Sequence, residues 1–367
     1  MVERTCILYF KPREAGIFLI LVCVIGFFFV VSLELVLSLM GENWPYQQVL
    51  GRQQITGQRF GPRYFEVNKH YKIAGAQLAN PEVVALGTSR MLSLTASHLP
   101  AGVRFYNAAV VASISEGIDG WKEIITPLDA SEELKTIILG IDPWVFNPNY
   151  PGNRKPPKAK VIDFMKQTKG LNQAYFTYRL FKDHFLAYHE LEKENVNFFP
   201  TLASSRQAFG LNALLYDAGY NADGSWSYPV NHLDEPVKDV NQWKSELAGD
   251  HYRFAYSQDL GPQQVTQFRD FLSSTKAHGI NVIGLMPPIR PDFFDALTLS
   301  PSQAGFFAAF RREIPAVMDE YGYICLDFSS AGDFGWKADD FHDNMHSKSD
   351  LFKKLFADYI NNILLAS

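Results

Sequence analysis

Five short, almost wholly apolar runs recur along the chain: Val83–Leu86, Val103–Tyr106, Thr136–Ile141, Asn281–Met286 and Tyr323–Phe328. Between and after them lie longer segments with apolar residues three and four apart. These predict helices over Ser89–His98, Glu116–Ile125, Pro262–His278, Ser302–Tyr321 and Asp350–Leu365. In the last, Leu351, Leu355, Tyr359 and Ile363 form one line, which Phe352, Phe356 and Ile360 widen. Apolar runs without alternation are strands covered on both faces. Their exchange with amphipathic helices predicts an α/β fold, a three-layer, flavodoxin-like arrangement around a five-stranded parallel sheet. Ligands of such a sheet bind at the C-terminal ends of its strands.

The front of the chain follows another pattern. Residues 15–40 carry one charge, Glu34, and Gly16–Leu33 carry none. At about 1.5 Å per residue this stretch is long enough for a hydrocarbon layer of about 30 Å. It is too long for the apolar part of a signal peptide, and no small-residue cleavage pattern follows. Arg4, Lys11 and Arg13 precede it, whereas Gly41–Val49 carry only Glu42, so the positive-inside tendency puts the N-terminus in the cytoplasm. The expected organisation is a cytoplasmic stretch at 1–14 and a transmembrane signal-anchor helix at 15–40. An irregular juxtamembrane segment at 41–80 and an extracytoplasmic domain at 81–367 then follow. That domain carries an elaborated insertion at about 145–260, where no parallel strand is legible and Leu171–Glu194 reads as a long helix.

Composition narrows the chemistry. With 34 basic and 39 acidic residues and a net charge of -5, there is no nucleic-acid footprint. Of the three cysteines only Cys325 lies in the outer domain, so no disulfide forms within it, and Cys325 reads as a small core residue. No Gly-Lys-Ser/Thr follows Gly87 and no dinucleotide fingerprint follows any strand, so no cofactor is expected.

Two short stretches carry candidate chemistry. Gly87-Thr88-Ser89-Arg90 directly follows the first apolar run, and Asp339-Asp340-Phe341-His342-Asp343-Asn344-Met345-His346 lies near the C-terminus. A serine hydroxyl becomes a useful nucleophile only when a histidine takes its proton and a carboxylate holds that histidine in the right tautomer. Ser89 is the candidate nucleophile, His346 the base and Asp343 the group that orients it; a helix after Ser89 would add its dipole. Asp339 and His342 repeat the spacing one turn earlier, which makes His342 the fallback base. Zinc is not expected, because no third ligand accompanies the two histidines.

The Ser block near the start of the domain and the Asp-x-x-His block at its end resemble the SGNH (GDSL-type) hydrolase family. The resemblance covers about residues 80–366 at block level. It implies a serine triad and an oxyanion hole built from the Ser89 backbone N–H, a backbone N–H after the second strand and an asparagine side chain after the third. After the second strand this chain has Tyr106-Asn107-Ala108-Ala109, which offers the Ala108 N–H and the Asn107 side chain as donors. After the third strand Asp142 stands in the asparagine position, and an ionised aspartate accepts hydrogen bonds without donating any. Asp142 either caps its turn or pairs with a cation, for which Arg90 is the natural partner. Arg290, in Pro287-Pro288-Ile289-Arg290-Pro291, is a candidate for an anionic substrate group, and Trp144, Trp226 and Tyr228 for stacking on sugar rings.

One signal-anchor helix joined to an outer SGNH-like domain is similar to the membrane-anchored members that O-acetylate alginate and cellulose, or that transfer D-alanine in teichoic-acid modification. That similarity implies a serine O-acyltransferase, acting with acetyl groups on an envelope or exported polysaccharide. It also implies a multispanning membrane acyltransferase as acyl donor and a place in the inner membrane facing the periplasm. Two other readings stay open: a carbohydrate esterase or lipase that hydrolyses esters, and a catalytically silent polysaccharide-binding or assembly subunit.

Overall fold

In the computed structural model, described for residues 12–42, 44–62, 69–110, 117–129, 133–150, 208–228, 239–250 and 252–366, the apolar runs form one sheet. Its strands are β1 (Val83–Leu86), β2 (Phe105–Asn107), β3 (Thr136–Gly140), β4 (Asn281–Met286) and β5 (Ile324–Asp327). Their order is β2-β1-β3-β4-β5, and every pairing is parallel. The order reverses between β1 and β3, as in a flavodoxin-like sheet, so a crevice opens where those two strands end. Alternate residues feed opposite faces: Val84 and Leu86 join one core, Val83 and Ala85 the other.

The first face is covered by α4 (Asp119–Asp129), α5 (Pro262–Ala277), α6 (Pro291–Leu299) and α7 (Ala304–Asp319), which contribute Trp121, Phe268, Phe293 and Phe310. Proline at the first position of α5 and of α6 pre-sets the helical turn where no N–H is needed. The opposite face is covered by α8 (Ser349–Leu355), a π turn at Phe356–Ile360 and α9 (Asn361–Ala366), in place of the single expected helix. Phe268 is fully buried against the Phe146 ring, 5.3 Å between centroids. Phe268→Ala should lower stability by about 3–5 kcal/mol, read as an earlier urea midpoint at unchanged slope.

Ahead of the sheet, α1 (Pro12–Met40) occupies the expected anchor. Its apolar side chains from Ile17 to Phe28 are exposed. The side chains of residues 29, 30, 32–34, 36 and 37 lie outside the description, as do Arg4 and Lys11. Among the described residues no helix is long and apolar enough to cross a membrane, and the expected transmembrane helix at 15–40 is not supported on that basis.

The segment 41–80, expected to be irregular, instead holds α2 (Tyr46–Thr56) and α3 (Lys69–Ala79). Arg59–Phe60 between them pairs with Ala208–Phe209 and with Gly219–Tyr220, which continues to Trp226–Ser227, giving a second, four-stranded sheet. Buried Val49, Leu50, Phe60, Tyr71 and Phe209 form its own small core. Of the polar residues that make 41–80 look like loop, Gln47, Gln48, Arg52 and Gln54 lie on the outer face of α2, while Gln53 and Lys72 are buried. Buried Lys72 joins this layer to the main sheet by donating to the Asn107 carbonyl at 2.9 Å and the Gly224 carbonyl at 2.5 Å. The helix expected at Leu171–Glu194 lies outside the described residues.

The helix expected over Ser89–His98 is also absent. Two 3-10 turns, Ser89–Met91 and Ala96–His98, stand there instead. The carbonyls that would continue a helix have other partners: Met91 O and Leu94 O accept from the Asn107 side chain at 2.8 Å each, and Leu92 O from the Trp226 N–H at 2.8 Å. Ser93, Thr95 and Ser97 weaken helix further, since their hydroxyls compete for backbone groups. Cys325 lies half-buried on β5, and burial pushes its thiol up to about 12, so it is inert as a nucleophile.

Candidate active site

β1 delivers Ser89 to the crevice through a turn that only glycine permits. Gly87 has φ +133°, and a Cβ there would stand 2.8 Å from the Gly140 carbonyl. Across the crevice, a Cβ on Gly140 would collide with Met91 at 2.2 Å. The ends of β1 and β3 therefore close on each other, and Ser89 sits half-buried at the switch point.

The C-terminal block arrives from beyond β5. Ser89 Oγ lies 2.8 Å from His346 Nε2, and His346 Nδ1 lies 2.6 Å from Asp343 Oδ2. The other Asp343 oxygen accepts the backbone N–H groups of Met345 and His346, each at 2.7 Å. Burial works to raise the Asp343 carboxyl, but the His346 hydrogen bond and charge and the two backbone donors outweigh it and hold it at about 2. An ionised carboxylate only accepts, so Nδ1 carries the ring proton and Nε2 presents a lone pair to the serine hydroxyl. The three groups thus form a relay that can move a proton off Ser89.

His342, the fallback base, is placed differently. Its ring stacks on Tyr228 at 4.2 Å between centroids, and its N–H donates to the His346 carbonyl at 2.8 Å. Burial pushes the imidazole down to about 4, with Lys348 and His346 adding to that against Asp343. An unfolded chain takes up this proton near the ordinary 6.5, so the stabilisation is whole above pH 6.5 and falls away as acid is added down to about 4. Asp343 extends the same trend from its ordinary 3.8 towards 2. The loss across the histidine window should be on the order of 2 kcal/mol, read from urea midpoints at pH 7 and pH 4.5, and His342→Gln should flatten it.

Arg90 and Asp142 are both fully buried, with side chains 2% and 1% exposed, and form an ion pair through Nη1 and Oδ1. The second Asp142 oxygen accepts from the Thr88 hydroxyl. Arg90 Nε donates to Met345 O at 3.1 Å, and Nη2 to the carbonyls of Pro287 and Pro288 at 2.6 Å each. The Trp144 ring faces the guanidinium at 5.7 Å. Asp142 is therefore neither an oxyanion donor nor an uncompensated charge in the cleft.

Several expected donors are already engaged. Asn107 is fully buried, its amide holds Met91 O and Leu94 O, and its oxygen accepts the Ala109 N–H at 2.9 Å. The Ala108 N–H donates to Ala85 O at 2.9 Å. Both are structural here. The Ser89 N–H, first in its 3-10 turn, has no intrahelical carbonyl to meet and is the remaining expected donor. That turn is too short to supply the helix dipole expected behind Ser89. Arg290 binds Asp292 in a fork at 2.6 and 2.7 Å and does not line the cleft. Trp226 packs on Tyr220 at 4.7 Å, and Tyr228 on His342, so neither stands as a free stacking platform.

Ser89 and His346 open into a cleft of about 340 Å³, near the lower end of ligand-pocket sizes, about 300–1,000 Å³. Its walls include Val110, Trp121, Trp144, Tyr150, Trp243 and Arg253. Trp144 is buried, with its ring tilted against Trp243 at 6.1 Å and the Arg90 guanidinium over its face, so it shapes the wall rather than stacking on a ring. Arg253 lies over Trp243 at 4.3 Å and pairs with Glu246 at 3.1 Å. Tyr150, Trp243 and Arg253 come from the insertion at 145–260, and no local sequence pattern marks them for the site. Among the described residues no cluster of His, Cys, Asp or Glu could hold a metal ion. No family model matches the chain, and no curated protein or solved structure matches it.

Proposed function

We propose that this protein is a serine O-acyltransferase of SGNH-hydrolase type. On this reading it is held at the inner membrane by its N-terminal segment and adds acyl groups, acetyl in the first instance, to an envelope or exported polysaccharide. The observation that carries the reading is the relay Ser89–His346–Asp343, with both hydrogen bonds formed and the carboxylate ionised. Ser89 Oγ attacks the acyl carbonyl while its proton passes to His346 Nε2. The departing group then takes that proton, leaving the acyl ester on Ser89. A sugar hydroxyl next gives its proton to the same nitrogen, attacks the ester carbonyl and restores the serine. Water in the place of the sugar hydroxyl gives hydrolysis by the same steps.

The anchoring part of the proposal rests on the uncharged stretch Gly16–Leu33 and on the exposure of Ile17–Phe28, since a helix docked on a soluble body would bury one stripe of such residues. A single anchor and an outer relay need a source of activated acyl groups, for which a multispanning membrane acyltransferase is the proposed partner. Against a silent subunit stands Asp142, whose charge is matched by Arg90 inside the protein. Ester-linked acyl groups on envelope polysaccharide should be lost from a strain carrying Ser89→Ala. Unchanged acylation in that strain rules the proposal out.

A further inference from the structure

We infer that Arg90, with Asp142 as its counter-ion, is a positioning residue that sets the separation of Ser89 from His346; this rests on the acyl-transfer reading of the site. Arg90 directly follows the nucleophile, and Met345 directly precedes the base. The hydrogen bond from Arg90 Nε to Met345 O, at 3.1 Å, therefore joins the immediate neighbours of the two reacting residues. Asp142 grips the serine from both sides, one oxygen taking Arg90 and the other Thr88, with Ser89 between them. Nη2 adds the Pro287 and Pro288 carbonyls. One planar group thus ties together the ends of β1, β3 and β4 and the loop beyond β5. On the far side of that loop the Arg290 N–H holds Asn344 O at 3.1 Å.

The chemistry of these acceptors calls for arginine. Three carbonyls and a carboxylate converge in one buried place, and only a fork of five fixed N–H donors reaches all of them. A lysine ammonium satisfies the charge of Asp142 and reaches fewer of the carbonyls. The prolines suit the arrangement, because a Pro287-Pro288 pair presents carbonyls with no competing N–H. The residue in the place where an asparagine donor is expected has thus become half of a strut. Catalytic power then depends on geometry that the strut maintains, and a displacement of about 1 Å at such a pair costs on the order of a hundredfold in rate.

The test follows phosphonylation of Ser89 by a fluorophosphonate in the full-length protein in detergent. Arg90→Lys keeps the cation that Asp142 needs but leaves buried carbonyls without a donor, so it should still fold, at a lowered melting temperature, while labelling slows about a hundredfold. Arg90→Ala, with Asp142 kept as the carboxylate that a guanidinium ion would pair with, should be equally slow. Millimolar guanidinium, entering the space left beside the cleft, should restore its labelling about tenfold or more. Unchanged labelling of Arg90→Lys, or an Arg90→Ala variant that guanidinium does not revive, overturns the assignment. Wild-type protein that takes no label sinks the acyl-transfer reading instead. The His346 Nδ1 proton resonance then decides the role of Arg90, being independent of turnover: broadening by water exchange in Arg90→Lys supports the strut, and an unchanged signal overturns it.

Discussion

Replacing Ser89 by alanine should leave a folded protein whose turnover of an ester substrate falls by on the order of 10⁴–10⁶. The hydroxyl is half-buried and its partner is His346, so its removal leaves no orphaned buried group and costs little stability. Cys325 does not stand in for it, because its thiol lies half-buried on the edge strand and is pushed up to about 12. What remains should be the modest rate that binding and the Ser89 N–H provide. Turnover of p-nitrophenyl acetate, measured beside the melting temperature, separates the two effects. Activity within tenfold of wild type would place the nucleophile elsewhere.

On the proposed acyl-transfer reading, Asp343→Asn should be nearly as damaging, with kcat down by on the order of 10⁴, the loss that a serine triad suffers from this change. The asparagine oxygen can keep the bonds from the Met345 and His346 N–H groups, so the loop holds its shape. Its amide, however, would donate to Nδ1. The ring proton then moves to Nε2, which no longer accepts the serine proton. Rate should fall while KM stays close to wild type, and the protein should remain folded at somewhat lower stability, since the stabilisation from the depressed Asp343 carboxyl is lost. A loss below about tenfold would mean that the Asp343–His346 bond orients nothing that matters, and attention would pass to His342.

Much of this site was legible in the sequence because its parts are local or sit where strands must end. Val83–Leu86 and Asn281–Met286 are continuous apolar runs closed by turn residues, and both strands fall on those residues. The Asp-x-x-His block fixes its own geometry, since carboxylate and imidazole lie three residues apart and share backbone bonds. Arg90 and Asp142 point to each other because two charges at neighbouring strand ends in a buried crevice require partners.

What stayed hidden depends on distant contacts. Ser89–His98 has helical spacing, yet Asn107 and Trp226 take the carbonyls that a helix needs, and neither is near in sequence. Asn107 and Ala108 have the right chemistry for oxyanion donors, but their N–H groups hold the loop together. α6 is not among the helices expected from the sequence, and Pro287, Pro288 and Pro291 crowd its start, although proline suits the first helical position. Trp243 and Arg253 reach the cleft only after the chain returns from the insertion, and no short window foretells that.

The most direct measurement is to locate the adduct after fluorophosphonate treatment, by mass spectrometry of peptides from wild-type and His346→Ala protein. A label on Ser89 in the wild type, slowed at least a hundredfold in His346→Ala, is the expected outcome, since the imidazole accepts the serine proton. A label on any other residue, or on Ser89 at the same rate without the imidazole, contradicts the account.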